Sequence, residues 1–366
     1  MSGADAGVQR QAAWREVRRV LAVRLDQLGD VIMTTPALAA IKDSVPGVHL
    51  TLLTSASGAL AARHVPFIDD TLVYEAPWVK TPVDVGAEAD LALIQRLAEG
   101  RFDAAVIFTV CTQNPLPAAL MCRLAGIPLR LAHCRENPYH LLSDWVPDRE
   151  RVEDGMRHEV ARQLDLAATV GWRPRDERLV FRHTADEQAR VARHLQALGI
   201  APGAPYMVVH PGATAPSRRY PPEQFGRAVD QVWAHAKVPV VFTGSPGEAE
   251  LIEAARAAMS APSHSLVGRL SLGELGALLA GARLLLSNNT GPVHMAAALG
   301  TPVVDLYALT NPQHTPWKVP ARVLNHDVPC RHCLKSVCPQ GHQACLRQVT
   351  PEEVARASLE LLALSL

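Results

Sequence analysis

Aromatic residues are scarce in this chain and net charge is absent. Phe, Trp and Tyr make up 5% of 366 residues against 48% hydrophobic overall, and 36 Lys and Arg balance 36 Asp and Glu. That length and apolar content suffice for two domains of ~100–200 residues, each with its own core. The charge balance excludes a global attraction to nucleic acid, so an anionic partner must be met by local clusters. No apolar run reaches ~18 residues and no signal-peptide core follows Met1, so neither a membrane span nor a secretory leader is expected, and the expected location is the cytoplasm. No Gly-x-Gly-x-x-Gly follows the first strand-like segment, which removes an NAD-dependent oxidoreductase built on such a sheet.

What is present is a repeated alternation of strand-like and helix-like segments. "VRRVLAVRL" from Val17 reads as a strand, "DQLGD" breaks it, "VIMTTPALAAIKDSVP" reads as a helix, and "VHLTLLT" is the next strand. Further strands are expected at 70–74, 104–109 and around Leu129. A second series follows at 206–210, 238–243, 283–287 and 302–307, with the division near residues 171–185. The expected organisation is a flexible segment 1–16, a Rossmann-like domain 17–178, a second one at 179–350 with a Cys-rich loop 325–346, and a C-terminal helix 351–366.

The strand-to-helix loops carry the chemistry, because ligands of parallel sheets sit at the carboxyl ends of strands. The first loop offers Asp26, Gly29 and Asp30; Asp30 either caps the following helix or acts as a base. In the second series "VVHPGATAPSRRYPPEQF" places Arg218 and Arg219 before a Pro-initiated helix, a pair suited to a diphosphate or simply solvated. "VVFTGSPGEAELI" sets Ser245 in a turn and Glu248 at a helix start, where it either accepts ribose hydroxyls or favours the helix N-terminus. "LLLSNNTGPVHMAAALGTPVVDLY" interrupts two strands with a polar knot and a helix whose free N–H groups suit anionic or hydroxyl-rich groups. His210 reads as a satisfied core histidine.

Four thiols fall within sixteen residues in "CRHCLKSVCPQGHQAC": Cys330, Cys333, Cys338 and Cys345. The spacing admits a structural metal, zinc, or reduced unliganded thiols. Cys111, Cys122 and Cys134 are isolated and read as core residues.

The order of "VRLDQLGDVIMTTPAL", "VVHPGA", "RRYPPEQF", "VFTGSPGE", the long "VGRLSLGELGALLAGARLLLSNNTGPVHMAAALGTPVVDLY" and "NPQHTPW" resembles glycosyltransferase family 9, the heptosyltransferases of lipopolysaccharide core assembly. The resemblance covers roughly residues 18–364. It implies a GT-B fold, two Rossmann-like domains facing across a cleft, with acceptor on the first and donor on the second. It also implies inverting transfer from a nucleotide-diphosphate donor, ADP-heptose, with no metal required for catalysis, and the chain indeed has no Asp-x-Asp.

Residue by residue, the resemblance makes Asp30 the general base and Arg218 the phosphate-binding cation, Arg standing where the family usually has Lys. It puts Glu248 on ribose, and Thr290, Gly291 and His294 in the phosphate and donor-sugar loop. Asn289 departs from the Asp common before Thr-Gly, which leaves the donor sugar open. Arg63 joins a candidate basic face for an anionic glycolipid acceptor, with a solvated Arg face as the alternative. The implied setting is the cytoplasmic side of the inner membrane, with peripheral contact and no nucleic-acid partner. A catalytically silent sugar-nucleotide-binding protein, or a transferase using another sugar and a non-lipopolysaccharide acceptor, stays open.

Overall fold

The structure, a computed structural model, describes residues 12–80 and 86–364. The chain divides into two compact units, Met1–Val180 and Phe181–Leu366. Of the segment 1–16 expected to be flexible, residues 1–11 lie outside the described residues. Within the remainder, Trp14 is fully buried and meets Trp172 edge-on, ring centroids 5.2 Å apart. Burial of so large an apolar ring anchors the chain from that point.

In the first unit, β1 (Arg19–Arg24), β2 (His49–Thr54), β3 (Asp70–Val73), β4 (Ala104–Ile107), β5 (Leu129–Cys134) and β6 (Asp144–Pro147) form one sheet. Its order is β3-β2-β1-β4-β5-β6, every pair parallel. In the second unit, β7 (Met207–His210), β8 (Val240–Phe242), β9 (His264–Ser265), β10 (Leu284–Asn288), β11 (Val303–Leu306) and β12 (Ala321–Leu324) do the same, in the order β12-β11-β10-β7-β8-β9. Both are the doubly wound order, reversing beside the first strand of each unit: between β1 and β4, and between β7 and β10. β1 and β10 are almost wholly buried apolar runs, as a parallel sheet covered on both faces requires.

α1 (Leu28–Ser44) follows β1 and is buried through most of its length. Pro36 deprives the Ile32 carbonyl of its helical donor, and the Thr35 hydroxyl supplies one instead, at 2.6 Å. α2 (Ala56–Ala62) touches the β1–α1 loop through Ser57, whose Oγ accepts the Leu28 N–H at 3.3 Å. In the second unit α3 (Pro222–Ala236) covers the sheet, α4 (Gly291–Leu299) follows β10, and α5 (Pro351–Leu364) packs on α3. Phe225, Val229, Phe242, Leu286, Val304 and Leu361 join one fully buried cluster there. Each contributes about 1.5–3 kcal/mol by leaving water. Among the described residues no helix is long and apolar enough to cross a membrane.

Candidate functional site

The loop after β1 holds a buried charge cluster. Arg24, the last residue of β1, has no exposed surface, and its guanidinium stands 2.9 Å from Asp26, 2.7 Å from Glu159 and 3.3 Å from Asp30. Burial works against its charge, but the three carboxylates outweigh it and hold the group above its usual range. Burial pushes the Asp26 carboxyl up; Arg24 opposes this and Asp30 adds to it. Gln113, from the loop after β4, donates to Asp26 across the reversal of strand order.

Asp30 sits at the third position of α1. Its Oδ2 accepts the Gln27 N–H at 3.2 Å in a capping box, while Oδ1 takes Arg24. The capping role admitted from the sequence is therefore real, with Gln27 as the N-cap residue. The carboxylate keeps 18% of its side-chain surface exposed, so it remains accessible to a second partner. Arg63 is not brought to this loop: it lies exposed at the C-cap of α2, whose first turn is the end that meets Leu28.

The second unit has a cavity of about 340 Å³ at the carboxyl ends of β7, β8 and β10. His210, Thr243, Ser245, Glu248, Ser271 and Thr290 are among the residues lining it. Glu248 is clamped by Ser245, whose N–H and hydroxyl both donate to Oε2 at 2.8 Å. Thr290 is the N-cap residue of α4, yet its hydroxyl makes no capping bond, so the helix start and the hydroxyl both remain available.

His210 is buried and partnered, as the sequence reading has it, with Nδ1 3.1 Å from the Thr243 hydroxyl, and it also lines the cavity. Burial holds its pKa below the ordinary value, opposed by Glu248, and so favours the uncharged ring.

Ser245, Glu248 and Thr290 are thus brought together, while Arg218, Arg219, Asn289, Gly291 and His294 stand outside the cavity lining. Arg218 closes a single 3-10 turn, Pro216–Arg218, and donates to Asn311 Oδ1 at 3.2 Å. Arg219 ties down its own loop through Nε to the Ala213 carbonyl at 2.7 Å. His294 is buried, edge-on to His314 with ring centroids 6.5 Å apart. His210, Thr243 and Ser271 were missed as site residues; the loops that hold them were visible, but not the direction of the side chains.

The four clustered cysteines are half-buried around a small void with Ser217 and His342. Burial pushes the Cys345 thiol up, with the other three cysteines adding to it. At Cys338 the backbone N–H groups of residues 340–343 outweigh burial and hold the thiol below its usual range. Among the described residues no three His, Cys, Asp or Glu groups are already disposed to hold a metal ion. The loop braces the Arg218 turn: Ser217 donates to the Ser336 carbonyl at 3.0 Å and to the Lys335 carbonyl at 2.7 Å, and Gln343 donates to the Pro216 carbonyl at 2.7 Å. Cys111, Cys122 and Cys134 are buried.

The model of glycosyltransferase family 9 (heptosyltransferase) matches residues 91–344, more than half of the chain, and the chain belongs to that family. It is accordingly a glycosyltransferase. Lipopolysaccharide heptosyltransferase 1 of Pseudomonas aeruginosa is 28% identical over 323 residues, covering 87% of each chain. Among solved structures, a family 9 glycosyl transferase from Veillonella parvula superposes with a TM-score of 0.76 at 20% identity, covering 94% of this chain and 97% of that one. The E. coli ADP-heptose lipopolysaccharide heptosyltransferase II gives 0.71 at 22% identity, covering 94% and 99%. These likenesses fix the fold as the GT-B type expected from the sequence.

Proposed function

We propose that this glycosyltransferase moves a heptose from ADP-heptose to an anionic glycolipid of the lipopolysaccharide core, with inversion. The observation that carries the donor half is the cavity beside the start of α4, where Glu248 and Thr290 converge. Glu248 is the ribose acceptor. The helix N-terminus receives the diphosphate, assisted by Arg218, so the leaving group's charge is met without a metal.

In the transfer, the acceptor oxygen bonds to the anomeric carbon while the bond from that carbon to the diphosphate oxygen breaks. The electron pair leaves with ADP, and the acceptor's hydroxyl proton passes to Asp30. Arg24 and the Gln27 N–H orient that carboxylate for the task. The relative from Pseudomonas aeruginosa and the E. coli neighbour, named for lipopolysaccharide, support the acceptor class. The work is placed at the cytoplasmic face of the inner membrane through peripheral contact.

The thiol loop belongs to the same reading. Cys330, Cys333, Cys338 and Cys345 would be the ligands of a structural zinc, which would stiffen the brace behind Arg218 and stand apart from the reaction.

Incubation of the protein with a panel of nucleotide sugars and a heptose-deficient lipopolysaccharide tests the reading. ADP-heptose consumed with matching growth of the acceptor is the expected outcome. Transfer from a UDP-hexose alone, or binding of donors with no transfer, would overturn it.

A further inference from the structure

Asn289 directly precedes Thr290, the cavity-lining residue at the start of α4, and is almost wholly buried. Its backbone N–H extends the pairing of β10 with β11 by donating to the Leu306 carbonyl at 3.2 Å. Its side-chain nitrogen donates twice, to Asp305 Oδ2 at 2.9 Å and to the His314 carbonyl at 2.8 Å. Asp305 has no exposed surface, and its Oδ1 has no hydrogen-bond partner. A carboxyl this deep needs a reason, because burial of an acid with half its acceptor capacity unused is unfavourable.

The chemistry of the amide supplies one. An asparagine side chain carries two N–H donors and one carbonyl acceptor, and unconstrained it can present either edge. With both N–H groups engaged by Asp305 and His314, the amide plane is fixed and the carbonyl Oδ1 is turned away from them. Reversal of the amide would set that carbonyl against the His314 carbonyl, which has no proton to give. The His314 carbonyl can only accept, so the orientation holds whether or not Asp305 carries its proton. Burial pushes the Asp305 carboxyl up to about 8, opposed by the Asn289 bond.

We propose that Asp305 is a positioning residue that fixes Asn289 as a hydrogen-bond acceptor for a hydroxyl of the donor's sugar, the two side chains acting as one unit. This rests on the donor reading of the neighbouring cavity. It resolves the departure at position 289: the group offered to the sugar is an acceptor, and the carboxyl that makes it so stands behind it on the next strand. Asp305 itself does not touch the ligand.

The test compares ADP-heptose with ADP, which lacks the sugar, in calorimetric titrations of the wild type, Asn289→Asp, Asp305→Asn and the double variant. Asn289→Asp sets a carboxyl against the His314 carbonyl without an N–H between them. It should weaken ADP-heptose about three- to ten-fold, the worth of one hydrogen bond, and leave ADP within about two-fold. Asp305→Asn keeps an acceptor beside Asn289 and serves as the reference against which the double variant is read. In the double variant the amide introduced at position 305 can donate to the carboxylate introduced at position 289, so ADP-heptose affinity should recover relative to Asn289→Asp alone.

Equal losses for ADP and ADP-heptose, or a double variant no better than Asn289→Asp, would overturn the inference while leaving the donor reading intact. Should Asn289→Asp fail to fold, regained folding with wild-type-like ADP-heptose binding in the double variant supports the coupling, and its absence refutes it. A wild type that binds neither ligand removes the donor reading and the inference with it.

Discussion

Gly212 passes so close to Glu248 that a Cβ on the glycine would stand 2.0 Å from Glu248 Oε1. Gly212 lies in the loop after β7, and Glu248 is held in place by Ser245, so the two loops fit only because one residue has no side chain. Gly212→Ala should displace the carboxylate and weaken nucleotide-sugar binding by about 1.5–3 kcal/mol, the scale of a hydrogen bond to a charged group. Calorimetry reads the loss; unchanged affinity would mean that Glu248 does not hold the donor.

Arg218 is the cation assigned to the diphosphate. Removing it in Arg218→Ala should cost about 1.5–3 kcal/mol of ADP affinity through the loss of a charge-assisted bond. Arg219 is committed to the Ala213 carbonyl, so Arg219→Ala should act through its loop and reduce thermal stability more than it changes the response of ADP binding to added salt. Equal salt responses in the two variants would contradict this division of roles.

The thiol loop gives a prediction about composition. Protein purified without chelator should carry about one zinc, released when the thiols are titrated with a mercurial, and ADP affinity should fall on release because the Arg218 turn loses its brace. Elemental analysis showing no stoichiometric metal, with four freely alkylated thiols at Cys330, Cys333, Cys338 and Cys345, would leave the loop as a purely hydrogen-bonded brace.

Acid should destabilise the first unit in two stages. Burial, reinforced by the Arg162 charge, holds His133 down to about 4. A depressed folded pKa gives stability that is complete above the unfolded value, about 6.5, and is lost as pH falls through the folded one. Burial alone would raise Asp148 and Glu150, but Arg162 and Arg157 outweigh it and hold both below the carboxylate range. Their contribution therefore persists to about pH 4 and is lost below it. His133→Gln should flatten the upper stage and leave the lower one, as read by urea-unfolding midpoints between pH 7 and 3. A profile identical to wild type would remove His133 from the account.

The alternation of apolar strands with helices made the two doubly wound sheets legible, because buried parallel strands such as β1 and β10 announce themselves as apolar runs. β6 and β12 did not: each pairs on one side only and is partly exposed, so "DWVP" and "ARVL" show no such run. The loops after β1, β8 and β10 stood out as candidate ligand loops from their Gly, Pro and small polar residues. What lay behind them was hidden. Arg24 reads as a polar end to a strand, and the Glu159 that balances it is 135 residues away. Asp305 sits within an apolar run, and only the strand register, which sets it beside Ser287, reveals its meeting with Asn289.

The most direct test of the central claim is turnover in Asp30→Asn, with ADP-heptose binding measured on the same protein. Asparagine preserves the shape and can still accept the Gln27 N–H, while Arg24 keeps Asp26 and Glu159, so the fold and the helix start should survive. It cannot take up the acceptor's proton. The transfer rate should fall about 10²–10⁴-fold with donor affinity unchanged. Transfer at the wild-type rate would contradict the claim and leave Asp30 as a capping residue alone.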